Sequence, residues 1–277
     1  MSVEVLNSLS GPVILVGAGK MGGAILDGWL RGSIAPTQVV ALDPNIREDL
    51  ASDLLAQGVV VNPSLDGLPT PAVLVLAVKP QAAPAVLATV RRLVAPGTLV
   101  VSIMAGRTLD FLRENLPRGA AIVRTIPNTP ASIGQGITVA VPNAQVSPER
   151  RAVVDALLAA LGPLEWVDDE DLIDAATAVS GSGPAYVFLL AETLAKAGVA
   201  VGLPADLADR LARATVAGAG ALIAQSGIAP ASLRENVTSP AGTTAAALEV
   251  LMDPARGFAP LMEEAVVAAT RRSRALG

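Results

Sequence analysis

The run Val13-Ile14-Leu15-Val16 passes without a break into Gly17-Ala18-Gly19-Lys20-Met21-Gly22, and an apolar segment of helical period follows (Ile25, Leu26, Trp29, Leu30). A strand that turns through Gly-x-Gly-x-x-Gly into a helix is the first crossover of a dinucleotide-binding sheet. Each glycine has a physical task there. Gly17 permits the tight turn, Gly19 lets backbone approach a pyrophosphate, and Gly22 lets the helix close on the strand. The helix N-terminus then offers unpaired N–H groups and a positive dipole end to the phosphates. A ligand-free glycine turn would share these letters, but the flanking strand and helix are the context the cofactor reading requires.

The first half of the chain continues that alternation. Short apolar segments at 13–16, 39–42, 59–61, 73–77, 99–103, 121–125 and 138–141 read as buried strands, and helical patterns fall at 22–31, 47–57, 82–94, 108–115 and 148–161. Nearly continuous apolar strands separated by helices predict a parallel, doubly wound α/β sheet covered on both faces. After Gly162-Pro163 the character changes. Glu165, the acids 168–171 and Asp174 precede helical patterns at 172–179, 184–198, 204–225, 229–236, 243–252 and 258–276. The acids read as first-turn charges that start a helix near Asp168; they are contiguous rather than placed to converge on a cation. Arg271, Arg272 and Arg274 complement the opposite end of the last helix. Two domains are therefore expected, an α/β domain over 1–163 and an all-helical one over 164–277.

Composition then limits the chemistry. The chain has no Cys and no His, which removes thiolate nucleophiles, imidazole acid–base pairs and the usual transition-metal sites, so no metal is expected. The 20 Lys and Arg against 25 Asp and Glu leave no basic stripe for nucleic acid. The longest uncharged stretches, 125–148 and 214–233, are broken by Gly, Pro and polar residues, so no membrane partner is expected; residues 1–10 lack a secretory charge pattern, and the expected setting is the cytoplasm. Apolar residues make up 52% with aromatics only 2%, a surplus of Ala, Val and Leu that suits closely packed helices, either in an Ala-rich core or with apolar surface buried between subunits.

Several residues are placed for chemistry. Asp43 ends the second strand about 20 residues after Gly22, where an acid accepts the ribose 2′-hydroxyl of an adenine dinucleotide. Asp43-Pro44-Asn45 is also good turn chemistry, and nearby Arg47 is the kind of residue that accommodates a 2′-phosphate. Ala77-Val78-Lys79-Pro80, Ser102-Ile103-Met104-Ala105-Gly106 and Pro127-Asn128-Thr129-Pro130 follow later strands on the ligand side of the sheet. In the helical half, Ser180-Gly181-Ser182-Gly183-Pro184-Ala185-Tyr186 and Val237-Thr238-Ser239-Pro240-Ala241-Gly242-Thr243-Thr244 read equally as helix caps or as cradles for a carboxylate.

Taken together, the glycine loop, Ala77-Val78-Lys79-Pro80, Pro127-Asn128-Thr129-Pro130 and the two hydroxyl-rich loops resemble pyrroline-5-carboxylate reductase nearly end to end. The resemblance implies reduction of 1-pyrroline-5-carboxylate to L-proline with NADPH or NADH. It implies that residues 17–22, Ala77, Lys79 and Pro80 hold the cofactor, with Ile103, Ala105 and Asn128 near the nicotinamide. Substrate binding falls to Ser180, Val237, Thr238 and Ser239 and to the amides of Gly242, Thr243 and Thr244. Thr244 would lie near the ring nitrogen, in the position proposed for the proton donor. Family members pair through their C-terminal helices, which implies a homodimer, a site shared between subunits and, in many members, rings of dimers. Two departures stand out. Many members have Ser or Thr at the place of Asp43, and Gly is frequent at the place of Ala241.

The chemistry suits a chain without His. A protonated cyclic imine is already electrophilic, so the protein needs mainly to align it with a hydride donor and admit one proton. A related cyclic imine remains open as substrate, a β-hydroxyacid is disfavoured by loop 237–244, and a nicotinamide-binding regulator without turnover is disfavoured by the intact loops.

Overall fold

The structure, a computed structural model, describes residues 2–31 and 34–276. The expected outer domain limits, residues 1 and 277, lie outside the described residues. Eight strands form one sheet: β1 (Val13–Val16), β2 (Val39–Leu42), β3 (Val60–Val61), β4 (Val73–Leu76), β5 (Leu99–Ser102), β6 (Ala121–Pro127), β7 (Thr138–Pro142) and β8 (Leu164–Trp166). Their spatial order is β3-β2-β1-β4-β5-β6-β7-β8, the doubly wound order with the glycine loop at its switch point.

The sheet is parallel from β3 to β6, but β7 runs antiparallel to β6 and β8 parallel to β7. The expectation of a wholly parallel sheet is thus corrected at one edge. The link 128–137 holds only a single-turn helix (Thr129–Ile133), and a parallel crossover needs about a dozen residues or more, so the chain turns back. The three-residue β8 was not anticipated from its sequence.

Helices cover both faces: α1 (Ser2–Asn7), α2 (Lys20–Leu30), α3 (Glu48–Ala56), α4 (Ala83–Val90), α5 (Leu109–Asn115), α6 (Pro148–Leu158) and α7 (Leu172–Ala176). Alternate strand residues feed two apolar layers. Val13, Leu15, Val75 and Val101 join Ile25, Leu26 and Trp29 of α2, whereas Ile14, Leu74, Leu76 and Val100 join Leu87 of α4 and Leu112 of α5. Buried Trp29 also donates its indole N–H to the Leu157 carbonyl at 2.8 Å, tying α2 to α6. Local sequence sets the helix starts: the Thr108 and Ser147 hydroxyls accept the amides of Phe111 (3.1 Å) and Arg150 (3.4 Å), and Pro148 opens α6.

The chain divides into two compact units, Met1–Gly181 with Thr270–Gly277, and Ser182–Ala269. The boundary expected after residue 163 therefore moves to residue 181. β8 belongs to the sheet through its pairing with β7, and Ile173 of α7 is buried with Ile126, Val139 and Val141. The last residues also belong to the sheet unit, where the Ser273 hydroxyl donates to the Asp174 carboxylate at 2.6 Å. α7 starts at Leu172 rather than near Asp168, and Glu170 instead pairs with buried Arg124 of β6 at 2.6 Å and accepts the Leu109 amide at 2.8 Å.

The helical unit comprises α8 (Gly183–Ala200), α9 (Ala205–Ser226), α10 (Pro230–Asn236), α11 (Thr243–Leu251) and most of α12 (Phe258–Arg274). Among its described residues only Ala208 and Ala212 are buried apolar side chains, while Phe188, Leu189, Leu222, Val250 and Leu261 are all more than half exposed.

Candidate functional site

The sheet register brings the predicted cofactor residues into one row. Val16 stands opposite Leu42 and Leu76, and Leu76 opposite Ser102, so Gly17, Asp43, Ala77 and Ile103 lie side by side one residue past their strands. Backbone bonds hold that row: Gly17 N–H to the Leu42 carbonyl (2.8 Å), Ala77 N–H to Val16 (2.8 Å) and Ile103 N–H to Leu76 (3.0 Å).

The three glycines differ in what surrounds them. Gly17 has φ +96°, and a Cβ there would stand 2.6 Å from the Ala77 carbonyl oxygen. A Cβ on Gly22 would collide with the Gly17 carbonyl. These two are needed for the turn and for helix–strand approach. At Gly19 nothing lies within 4 Å of where a Cβ would be. Gly19 caps α2 without a side-chain cap, and the amides of Gly19, Lys20, Met21 and Gly22 have no backbone partner among the described residues. Open space above four unpaired donors at a helix start fits a dinucleotide pyrophosphate.

Asp43 makes the turn its sequence allowed and also ties β2 to the glycine loop. Oδ1 accepts the Asn45 amide at 2.8 Å, which is the turn, and Oδ2 accepts the Ala18 amide of the glycine loop at 2.8 Å. Arg47 points its guanidinium at exposed Asp49 instead (3.4 Å). A cavity of about 520 Å³ adjoins Asp43.

Further along the row, Lys79 is exposed and Pro80 opens a short turn. Arg107, which sequence reasoning missed, fixes that turn: its Nε and Nη2 both donate to the Pro80 carbonyl (3.0 and 2.7 Å), and its guanidinium lies 4.6 Å from the Phe111 ring centroid. Nothing in the spacing of Arg107 announces this contact. Ala105 is exposed, and Gly106 turns the chain with φ +66°.

Asn128 is buried, and its side chain has work inside the protein. Oδ1 accepts the Ile137 amide at 2.9 Å and Nδ2 donates to the Ser180 carbonyl at 3.1 Å. The amide thus joins the loop after β6 to the turn at Ser180. Ser180 sits in a π-turn, Thr177–Gly181, that replaces the α-helix expected through residue 179. Such wide turns free backbone groups and recur at functional sites. The Ser180 hydroxyl donates to the Ala176 carbonyl at 2.9 Å, which leaves its oxygen free only to accept.

The helical unit carries the second set. Val237 is exposed, and the Thr238 hydroxyl donates to the Arg234 carbonyl at 2.6 Å, so it serves the end of α10. The Gly242 amide donates to the Ser239 carbonyl at 3.1 Å. A Cβ at Gly242 would meet the Ser239 hydroxyl, which would have to turn aside. The unpaired donors are the amides of Thr243, Thr244 and Ala245 at the start of α11. The hydroxyls of Ser239, Thr243 and Thr244 have no hydrogen-bond partner among the described residues. Ala241 holds the turn with φ +58°, a left-handed conformation unusual for a residue with a Cβ. Three amides and three hydroxyls free at one helix start can cradle a carboxylate.

No group of three or more acidic, His or Cys side chains among the described residues gathers to hold a metal, and no single helix is long and apolar enough to cross a membrane.

The chain is similar to known proteins along both halves. Residues 170–276 match the family model for pyrroline-5-carboxylate reductase dimerisation, and residues 12–106 match the model described as NADP oxidoreductase coenzyme F420-dependent. The pyrroline-5-carboxylate reductase of Pseudomonas aeruginosa is 40% identical over 266 residues, covering 95% of this chain and 96% of that protein. The enzyme of the same name from Glycine max is 37% identical and covers 94% of each chain. Among solved structures, a pyrroline-5-carboxylate reductase from Coxiella burnetii superposes with a TM-score of 0.89 at 30% identity, over 97% of this chain and 99% of that one. A Plasmodium falciparum pyrroline carboxylate reductase with NADP bound gives 0.81 at 29% identity, with the same coverage.

Proposed function

The chain belongs to the pyrroline-5-carboxylate reductase family, and on that premise we propose that it reduces 1-pyrroline-5-carboxylate to L-proline with NADPH or NADH, the last step of proline biosynthesis. The observation that carries this reading over other dinucleotide enzymes is the start of α11, where amides and hydroxyls have no partner among the described residues.

The reduced nicotinamide supplies the hydride, and the residues of the chain do the rest. The amides of residues 19–22 bind the pyrophosphate, and the small residues Ala77 and Ala105 and the Ile103 backbone leave room for the nicotinamide riboside. Arg107 and Asn128 hold the two loops that border that region. Ser239 and the amides of Thr243, Thr244 and Ala245 take the substrate carboxylate, which fixes the imine ring by its one charged substituent. The imine carbon gains the hydride and the ring nitrogen ends with one proton. A threonine hydroxyl is a poor acid, so Thr244 orients a protonated imine or relays a proton from water rather than serving as a strong donor. Ser180, able only to accept, favours the protonated form of a nearby imine.

The reading extends to a cytoplasmic homodimer formed through the helical unit, within larger rings of dimers. Its support is the near absence of buried apolar side chains in that unit. The exposed Phe188, Leu189, Leu222 and Leu261 need a covering surface, and a second copy supplies a matching one.

Loss of nicotinamide absorbance, followed for the purified chain with 1-pyrroline-5-carboxylate and each cofactor, tests the activity. Turnover with formation of proline is expected. Binding of a cofactor without turnover would overturn the reductase reading.

A further inference from the structure

We propose that Asp43 makes this chain prefer NADH over NADPH, by accepting the adenosine 2′-hydroxyl and rejecting a 2′-phosphate; the inference rests on the reductase reading above.

The carboxylate is fixed rather than mobile. Its two oxygens accept the amides of Ala18 and Asn45, both at 2.8 Å. Its backbone is clamped from the next strand: Asp43 N–H donates to Asn62 Oδ1 and Asn62 Nδ2 donates to the Asp43 carbonyl, again both at 2.8 Å. Asn62 adopts φ 47° to face Asp43 in this way. Swinging the side chain aside for a phosphate would break two bonds at once, including the one that ties β2 to the glycine loop. A carboxylate oxygen accepts about two hydrogen bonds, so each retains a place for a sugar hydroxyl. A phosphate monoester offers those places no proton donor and brings a like charge of about −1.5 to −2.

Among the described residues, the lining of the adjoining cavity supplies no compensating cation. The cavity beside Asp43 is walled by apolar groups such as Leu42, Pro63, Leu65 and Val86, which suits an adenine ring, and Asp43 is its one charged lining residue. Arg47, the basic residue nearest in sequence, is turned toward Asp49 at the exposed start of α3. A 2′-phosphate would thus meet a fixed carboxylate, while the nearest guanidinium pairs with Asp49 at the surface.

Calorimetric titration of the full chain tests this without relying on catalysis. Dissociation constants would be measured for NADH and NADPH, and for adenosine 5′-monophosphate and adenosine 2′,5′-bisphosphate, which differ only in the 2′-phosphate. The form without that phosphate is expected to bind about tenfold tighter or more in each pair. In Asp43→Ser, with a melting temperature showing it folded, the ratio should fall several-fold, mainly because the phosphorylated ligand gains affinity. Equal or tighter binding of NADPH by the unsubstituted chain overturns the proposal, whatever the variant does. Failure to bind either dinucleotide, or binding without imine reduction, would instead overturn the reductase reading on which it rests.

Discussion

The side-chain amide of Asn128 donates to the carbonyl of Ser180 at 3.1 Å and accepts the Ile137 amide at 2.9 Å, so one buried residue joins the loop after β6 to the π-turn after α7. Both bonds are lost in Asn128→Ala, and the part-buried Ile137 amide and Ser180 carbonyl are left without their partner. The expected cost is about 2 kcal/mol, read from the denaturant midpoint. Because Asn128 holds the Ser180 turn, KM for the imine should rise while the cofactor dissociation constant stays near its original value. A weakened cofactor with an unmoved KM would mean that Asn128 touches the nicotinamide itself.

The glycine loop separates folding from binding. A methyl group at Gly19 meets nothing within 4 Å, whereas at Gly17 it meets the Ala77 carbonyl in a backbone with φ +96°. Gly19→Ala should keep the melting temperature and lose dinucleotide affinity by about tenfold or more, since the methyl occupies the pyrophosphate's path. Gly17→Ala should lower the melting temperature itself. If Gly19→Ala binds cofactor normally, the pyrophosphate does not lie over Gly19.

Thr244 offers the sharpest division between enzyme and sensor. Thr244→Ala should lower kcat by roughly a hundredfold, the lower range for a positioned proton-transfer group, and leave cofactor binding unchanged. Thr244→Ser, which keeps the hydroxyl, should recover most of the rate. Equal rates for the Ala and Ser variants would assign the effect to packing.

Ala241 carries visible backbone strain at φ +58°. Left-handed backbone costs a residue with a Cβ about 1–2 kcal/mol relative to glycine, partly offset by the greater freedom of glycine in the unfolded chain. Ala241→Gly should therefore stabilise the chain by about 0.5–1 kcal/mol in denaturant unfolding at fixed protein concentration. The freed loop should also raise KM for the imine, because the amides of Thr243 and Thr244 are less firmly presented. A loss of stability would show that the methyl makes a contact worth more than the strain.

The sequence by itself determined the parts that depend on local periodicity and local chemistry. The strand–glycine–helix unit, the doubly wound α/β half and the helical half follow from apolar spacing, and the row formed by Gly17, Asp43, Ala77 and Ile103 follows from parallel strands of similar length. The loops at 180–186 and 237–244 were visible as breaks in helical patterns. Even the reversal of β7 was latent in the short link 128–137, though apolar alternation conceals direction.

Only the tertiary structure decided which polar groups are already occupied. Gly242 donates to Ser239, Asn128 is divided between Ile137 and Ser180, Arg107 grips Pro80, and Glu170 faces Arg124 across 46 positions of sequence. The sheet unit keeps residues 164–181 because three residues of β8 find a partner in β7, a pairing too short to leave a periodic trace. Hydrophobic pattern is written along the chain every two or four residues. Hydrogen-bond partnership depends on where distant backbone passes, and a sequence does not record that locally.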